Sequence, residues 1–175
     1  MSYTPCSRAE TILVSEENLK IRVSVWLWRK LVFELRKRSA GHRESGAFLV
    51  GSVAGTRARV TSFVCYDDLD PDAYQHGAIA FHAVGYAALW QHCRSRKLDV
   101  LADIHTHPGG VRQSPTDQEN PMLPLVGHTA LIMPRFARTP WWSLRTLGVY
   151  EYLGDGRWCD HIPGARKARF ALMLW

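Results

Sequence analysis

Between Pro108 and Pro124 the chain carries four prolines and two glycines, so neither a long helix nor a long strand can pass through this stretch. It has to be a shaped loop, with room for one helical turn begun at Asp117. Directly before it, Val100 to His105 is an apolar run of strand length.

The rest of the chain divides around that junction. Val25, Trp28, Leu31, Val32 and Leu35 recur at spacings of three and four, which predicts an amphipathic helix over Ser24 to Arg38 with Ser24 as its N-cap and Ser39-Ala40-Gly41 as its stop. Ala47 to Val53 and Arg59 to Tyr66 read as an antiparallel pair joined at Ala54-Gly55-Thr56, followed by a polar loop from Asp67 to Asp72. A second helix spans Ala83 to Lys97, with Tyr86, Leu89, Trp90 and Cys93 on one face despite the cost of Gly85. Thr129 to Met133, Leu147 to Leu153 and Arg157 to His161 are further strands, the last two joined at Asp155-Gly156. This order of elements predicts an α+β domain: a mostly antiparallel or mixed sheet flanked by helices. The tail over 163–175, basic and then apolar, is expected to dock as a final helix or to mediate assembly.

At 175 residues and 46% hydrophobic, the chain can bury one substantial core, so residues 1–175 are read as one domain with its core at about 20–160. No apolar run approaches the roughly 18 to 20 residues of a membrane span. Arg8, Glu10, Glu16 and Glu17 interrupt any signal-peptide core, so a cytoplasmic location is expected. Cys6, Cys65, Cys93 and Cys159 form no Cys-x-x-Cys pair, which points to reduced, mostly buried thiols. The +6 charge is spread over clusters at Arg36 to Arg38, Arg94 to Lys97 and Arg166 to Arg169, without the interleaved aromatics of a nucleic-acid platform. Nucleic acid is therefore not an expected partner. The seven tryptophans are expected mostly in the core.

The chemistry concentrates at Ala102-Asp103-Ile104-His105-Thr106-His107-Pro108. Residues i and i+2 of a strand face the same side, so His105 and His107 present two imidazoles together where Pro108 ends the ladder. Catalytic zinc sites take three protein ligands and keep the fourth position open. Asp117 is the leading third ligand, returned to the histidines by the Gly109-Gly110 loop, and Glu119 is its rival. Two histidines and a carboxylate would lower the pKa of a bound water toward neutrality, and a partly shielded carboxylate is then needed to handle protons. Taken alone, Asp117 would be an ordinary helix cap and Ser114 a turn former. His42, His76, His82, His92, His128 and His161 are scattered and receive no role.

Glu44-Ser-Gly-Ala-Phe-Leu-Val-Gly51, then His105-Thr-His-Pro108, then Ser114-Pro-Thr-Asp117 resembles the pattern of the JAMM metalloproteases, also called MPN+ or JAB, over roughly Trp26 to Leu153. The resemblance implies the MPN/JAB, cytidine deaminase-like fold and one catalytic zinc ion held by His105, His107 and Asp117. It further implies Glu44 as general acid/base and Ser114 as a donor to the oxyanion. The loop from His107 to Ser114 is one residue shorter than the family pattern; Gly109-Gly110 can absorb the shift, and Ser114 and Asp117 keep their mutual spacing.

The short chain is similar to bacterial JAB proteins, which implies a peptidase or isopeptidase acting after the C-terminal tail of a ubiquitin-like modifier laid along a sheet edge. E1-like and E2-like enzymes, including those of antiphage systems, are its implied partners. Three alternatives stand beside it: a peptidase for a sulfur-carrier adduct, a non-catalytic MPN scaffold, and a RadC-like DNA-associated protein. The identity of the modifier and the oligomeric state stay open.

Overall fold

Ser24 ends a short strand, β1 (Lys20–Ser24), and caps the helix that follows, α1 (Val25–Ser39); its side chain accepts a hydrogen bond from the Leu27 amide at 3.2 Å. The structure is a computed structural model that describes residues 19–75, 79–161 and 168–175. The helix matches the expected range. The strand before it was not foreseen, because Ile21 and Val23 alone make too short an alternation to read.

Seven more strands follow: β2 (Gly46–Ala54), β3 (Arg57–Cys65), β4 (Asp99–Thr106), β5 (Thr129–Met133), β6 (Gly148–Gly154), β7 (Arg157–Asp160) and β8 (Phe170–Met173). They form one mixed sheet in the order β7-β6-β5-β4-β2-β3-β1-β8. The β2–β3, β2–β4, β5–β6 and β6–β7 pairs are antiparallel, whereas β4–β5, β1–β3 and β1–β8 are parallel.

Alternation along β2 divides the core. Ala47 and Leu49 face one side, where Trp28, Leu31, Val32 and Leu35 of α1 bury against them. Each such side chain contributes about 1.5–3 kcal/mol on burial. Phe48 and Val50 face the other side, toward the single turn α2 (Tyr66–Leu69) and helix α3 (Ala83–Arg96), where Tyr66, Leu89 and Cys93 pack. The polar stretch after β3, expected as a loop, thus begins with a helical turn. Gly85 is explained by close packing: a Cβ there would lie 2.6 Å from the Phe81 ring and 2.9 Å from the Asp70 side chain.

The tail departs from expectation. Its described end is the strand β8 rather than a helix, because β1 offers a free edge to the apolar Phe170 to Met173 run. Arg169, just before β8, bonds the Glu151 carboxylate at 3.0 Å and Thr129 Oγ1 at 2.6 Å, and also bonds the Gly127 carbonyl. These contacts tie one end of the curled sheet to β5 and β6.

Cys65, Cys93 and Cys159 are buried, as expected. Cys6, His76 and the Arg166-Lys167 part of the last basic cluster lie outside the described residues. Trp28 is core, but Trp26 and Trp142 are 70% and 65% exposed, so the tryptophans divide between core and surface. Among the described residues no helix is long and apolar enough to cross a membrane.

Candidate metal centre

Strand β4 lies between β2 and β5, and its pairing decides what stands beside the two histidines. In the antiparallel ladder His105 is opposite Gly46, and the Thr106 amide donates to the Ser45 carbonyl at 2.9 Å. One step further along the same register, Glu44 comes level with His107. Its carboxylate lies 4.0 Å from His107 Nε2. On the other side the His107 amide donates to the Met133 carbonyl, and the His107 carbonyl accepts from Phe136, each at 2.9 Å. Arg135, Phe136 and Ala137 all have positive φ, so the turn that clamps His107 is held in the strained left-handed region.

His105 and His107 point to one face as the strand alternation predicts, with their Nε2 atoms 2.9 Å apart. Asp117 faces both, with carboxylate oxygens 3.4 Å from His105 Nε2 and 3.2 Å from His107 Nε2. The three ligand atoms fall within 4.8 Å of one another. Two imidazole nitrogens this close repel unless a proton or a cation lies between them. Two imidazole nitrogens and one carboxylate are also the donor set that zinc takes when one position stays open. The residues fit a metal.

Asp117 is delivered by the short helix α4 (Pro115–Glu119). Ser114 caps it: the Asp117 amide donates to Ser114 Oγ at 3.2 Å, and the Ser114 amide donates to Asp117 Oδ2 at 2.7 Å. This capping box accounts for the Ser-x-x-Asp spacing, since the same carboxylate closes the helix end and faces the histidines. The turn starts earlier than expected because Pro115 is pre-organised for the first helical position. Ser114 Oγ is used as an acceptor in this cap and lines the cleft. Ser114→Ala is expected to destabilise the protein by about 1 kcal/mol, with Ser114→Asn retaining most of the stability; unfolding of the metal-free variants in denaturant checks this. Glu119 is exposed at the end of α4 and lies outside the three-residue group, so the structure brings Asp117 rather than its rival to the histidines.

Thr106 points the opposite way, into a buried hydroxyl cluster. Its Oγ1 accepts from the Ser45 amide at 3.0 Å and lies 3.0 Å from Ser39 Oγ, while Ser45 Oγ donates to the Leu35 carbonyl at 2.9 Å. The residue between the histidines therefore fixes the segment that carries Glu44. The backbone of Ile79 acts to keep Glu44 ionised. Burial raises its carboxyl pKa, opposed by the fields of His105 and His107.

Burial disfavours a charged His105, but the carboxylates of Asp103 and Asp117 outweigh that and raise it to about 10. Asp117 is likewise penalised by burial, yet its contacts with His105 and His107 hold it far below the usual carboxylate range. In the metal-free protein a proton on His105 thus supplies the positive charge of the site. Because the folded pKa is raised, this stabilisation is complete below the unfolded value of about 6.5 and is lost as pH rises through about 10. A metal must displace the proton, so apparent zinc affinity is expected to climb about tenfold per pH unit between pH 7 and 8.5. Chelator competition at a series of pH values measures it; a flat profile would contradict the protonated resting state.

Three residues assigned no role from sequence complete the surroundings. Asp103 is buried behind His105, with His128 Nε2 2.7 Å from its Oδ1 and the Tyr66 hydroxyl 3.2 Å from its Oδ2. Asp103 shares the face of His105 by the i, i+2 rule and was legible on that ground. His128 and Tyr66 carry no comparable signal.

The group opens into a cleft of about 920 Å³, lined among others by Phe81, Tyr86, Met122 and Trp158. Among the described residues β4 is paired on both sides, by β2 and β5, and the cleft lies beside its histidine end. A second group, Cys65, Asp67 and Asp68, also lies within 4.8 Å. It already holds a cation, since Arg38 bonds both carboxylates, and burial pushes the Cys65 thiol up to about 12.

No family model matches the chain. Over 74 residues it is 33% identical to a protein of Sinorhizobium fredii (strain NBRC 101917 / NGR234) named "Probable metalloprotease y4jG". The match covers 42% of the chain and 44% of that protein, so it spans less than half of either. Among solved structures, protein DSY2949 from Desulfitobacterium hafniense aligns with a TM-score of 0.63 at 15% identity, over 89% of this chain and 94% of that one. A protein from Salinibacter ruber (strain DSM 13855) aligns with a TM-score of 0.55 at 18% identity, over 84% and 94%. At these identities the likeness is one of fold.

Proposed function

We propose that the chain is a zinc-dependent peptidase of the JAMM type, with an MPN/JAB fold, that cleaves the peptide or isopeptide bond after the C-terminal tail of a ubiquitin-like protein. The observation that carries the proposal is the convergence of His105, His107 and Asp117 with Glu44 4.0 Å from His107. The name of the partial relative in Sinorhizobium fredii agrees with a metalloprotease.

His105, His107 and Asp117 would hold the ion. Zinc, when bound, supplies Lewis acidity to the scissile carbonyl and to the attacking water. Glu44, partly buried beside His107, takes a proton from that water and hands it to the departing amine; burial favours the protonated carboxyl needed for the second transfer. Ser114, which lines the cleft, would donate its hydroxyl proton to the oxyanion while its oxygen caps α4. The apolar wall of Phe81, Tyr86, Met122 and Trp158 excludes water from the segment that lies in the cleft.

The test is zinc content of protein purified without chelator, followed by incubation with a ubiquitin-like protein extended by a short peptide after its terminal glycines. One equivalent of zinc and release of the extension, abolished by chelator and restored by zinc, is expected. Absence of stoichiometric zinc would overturn the enzyme assignment. Zinc without cleavage of any ubiquitin-like fusion would overturn the substrate.

A further inference from the structure

We infer that Asp103, gripped by His128 and Tyr66, is a positioning residue for the metal centre: it holds the His105 ring with Nδ1–H toward the carboxylate and the Nε2 lone pair toward the ion. This rests on His105 being a metal ligand, as proposed above. The side chain of Asp103 is only 2% exposed and sits in the middle of β4, opposite Phe48 on one side and Ala130 on the other. A carboxylate in such surroundings needs donors or a countercharge.

A carboxylate only accepts, so the contact at 2.7 Å places a proton on His128 Nε2, and the Tyr66 hydroxyl donates at 3.2 Å. These two bonds anchor both carboxylate oxygens and leave Oδ2 facing His105 Nδ1 at 4.0 Å, an ion-pair separation longer than a hydrogen bond, across which the carboxylate's field favours Nδ1–H on that side. Asp103 is on the Nδ1 side of the ring, whereas His107 and Asp117 converge on Nε2, so Asp103 stands behind the ligand and outside the ligand set. Ligating histidines commonly orient their second nitrogen in this way, which sets the tautomer and raises the basicity of the first.

Gly46 belongs to the same device. A Cβ at this position would lie 2.2 Å from the Tyr66 ring and 2.9 Å from the Ile104 carbonyl, so only glycine lets Tyr66 approach β4 closely enough to reach Asp103. The Gly46 amide is in turn satisfied by the Tyr74 hydroxyl at 2.9 Å.

The experiment measures zinc affinity by competition with a chromophoric chelator, and the visible spectrum after cobalt(II) substitution, in the full chain and in Asp103→Asn and Tyr66→Phe. Asp103→Asn is expected to weaken zinc roughly 10–100-fold and to shift the cobalt bands at saturating metal. Tyr66→Phe should move both in the same direction by less. A residue that merely supported the fold would lower thermal stability and leave the saturated spectrum unchanged. Should Asp103→Asn fail to fold, Tyr66→Phe carries the comparison, because it removes one hydroxyl and no charge. Wild-type affinity and an unshifted spectrum in the folded variants would overturn the inference while leaving the metal site intact; a wild-type chain that takes up no zinc would overturn both.

Discussion

Glu44→Gln is expected to keep a full equivalent of zinc and to lose roughly 10²–10⁴-fold in kcat, the usual share of general acid–base catalysis. Glu44 lies outside the His105, His107 and Asp117 group, so removing its charge leaves the donor set unchanged. Glutamine preserves the length and shape of the side chain. It has no proton to exchange. Zinc content and cleavage rate measured on the same preparation separate binding from chemistry, and a fully active Glu44→Gln would mean that another group moves the proton.

His107→Ala should lose stoichiometric zinc and fall to background activity. Two of three protein donors would remain, and Asp117 would give up one of the two partners that keep it ionised. The fold should survive, because the His107 backbone is clamped independently of its ring by Met133 and Phe136. Circular dichroism with metal analysis tests both halves. Retention of a full equivalent of tightly bound zinc by folded His107→Ala would remove it from the ligand set.

Sequence and structure agree most closely where a local rule is strong. The helical spacing of Trp28, Leu31, Val32 and Leu35 and the cap at Ser24 define α1 from within one segment. The two-residue alternation of His105 and His107 is equally local, and the structure shows both rings on one face. The fate of the tail was not legible, since Phe170 to Met173 becomes a strand only because β1, far away in the chain, leaves an edge open. The surface positions of Trp26 and Trp142 likewise follow from which faces their neighbours cover.

By itself, the amino-acid sequence determined the paired imidazoles on an apolar strand and a Pro108 to Pro124 loop that forbids any long regular element after them. These depend on contacts within a few residues, where chain geometry leaves little choice. Only the tertiary structure decided that Glu44 lies beside His107 and that Asp103 meets His128 and Tyr66. Those meetings are set by the β2–β4 and β4–β5 registers, which bring together residues far apart along the chain, and a slip of one residue would turn the participating side chains to the opposite face.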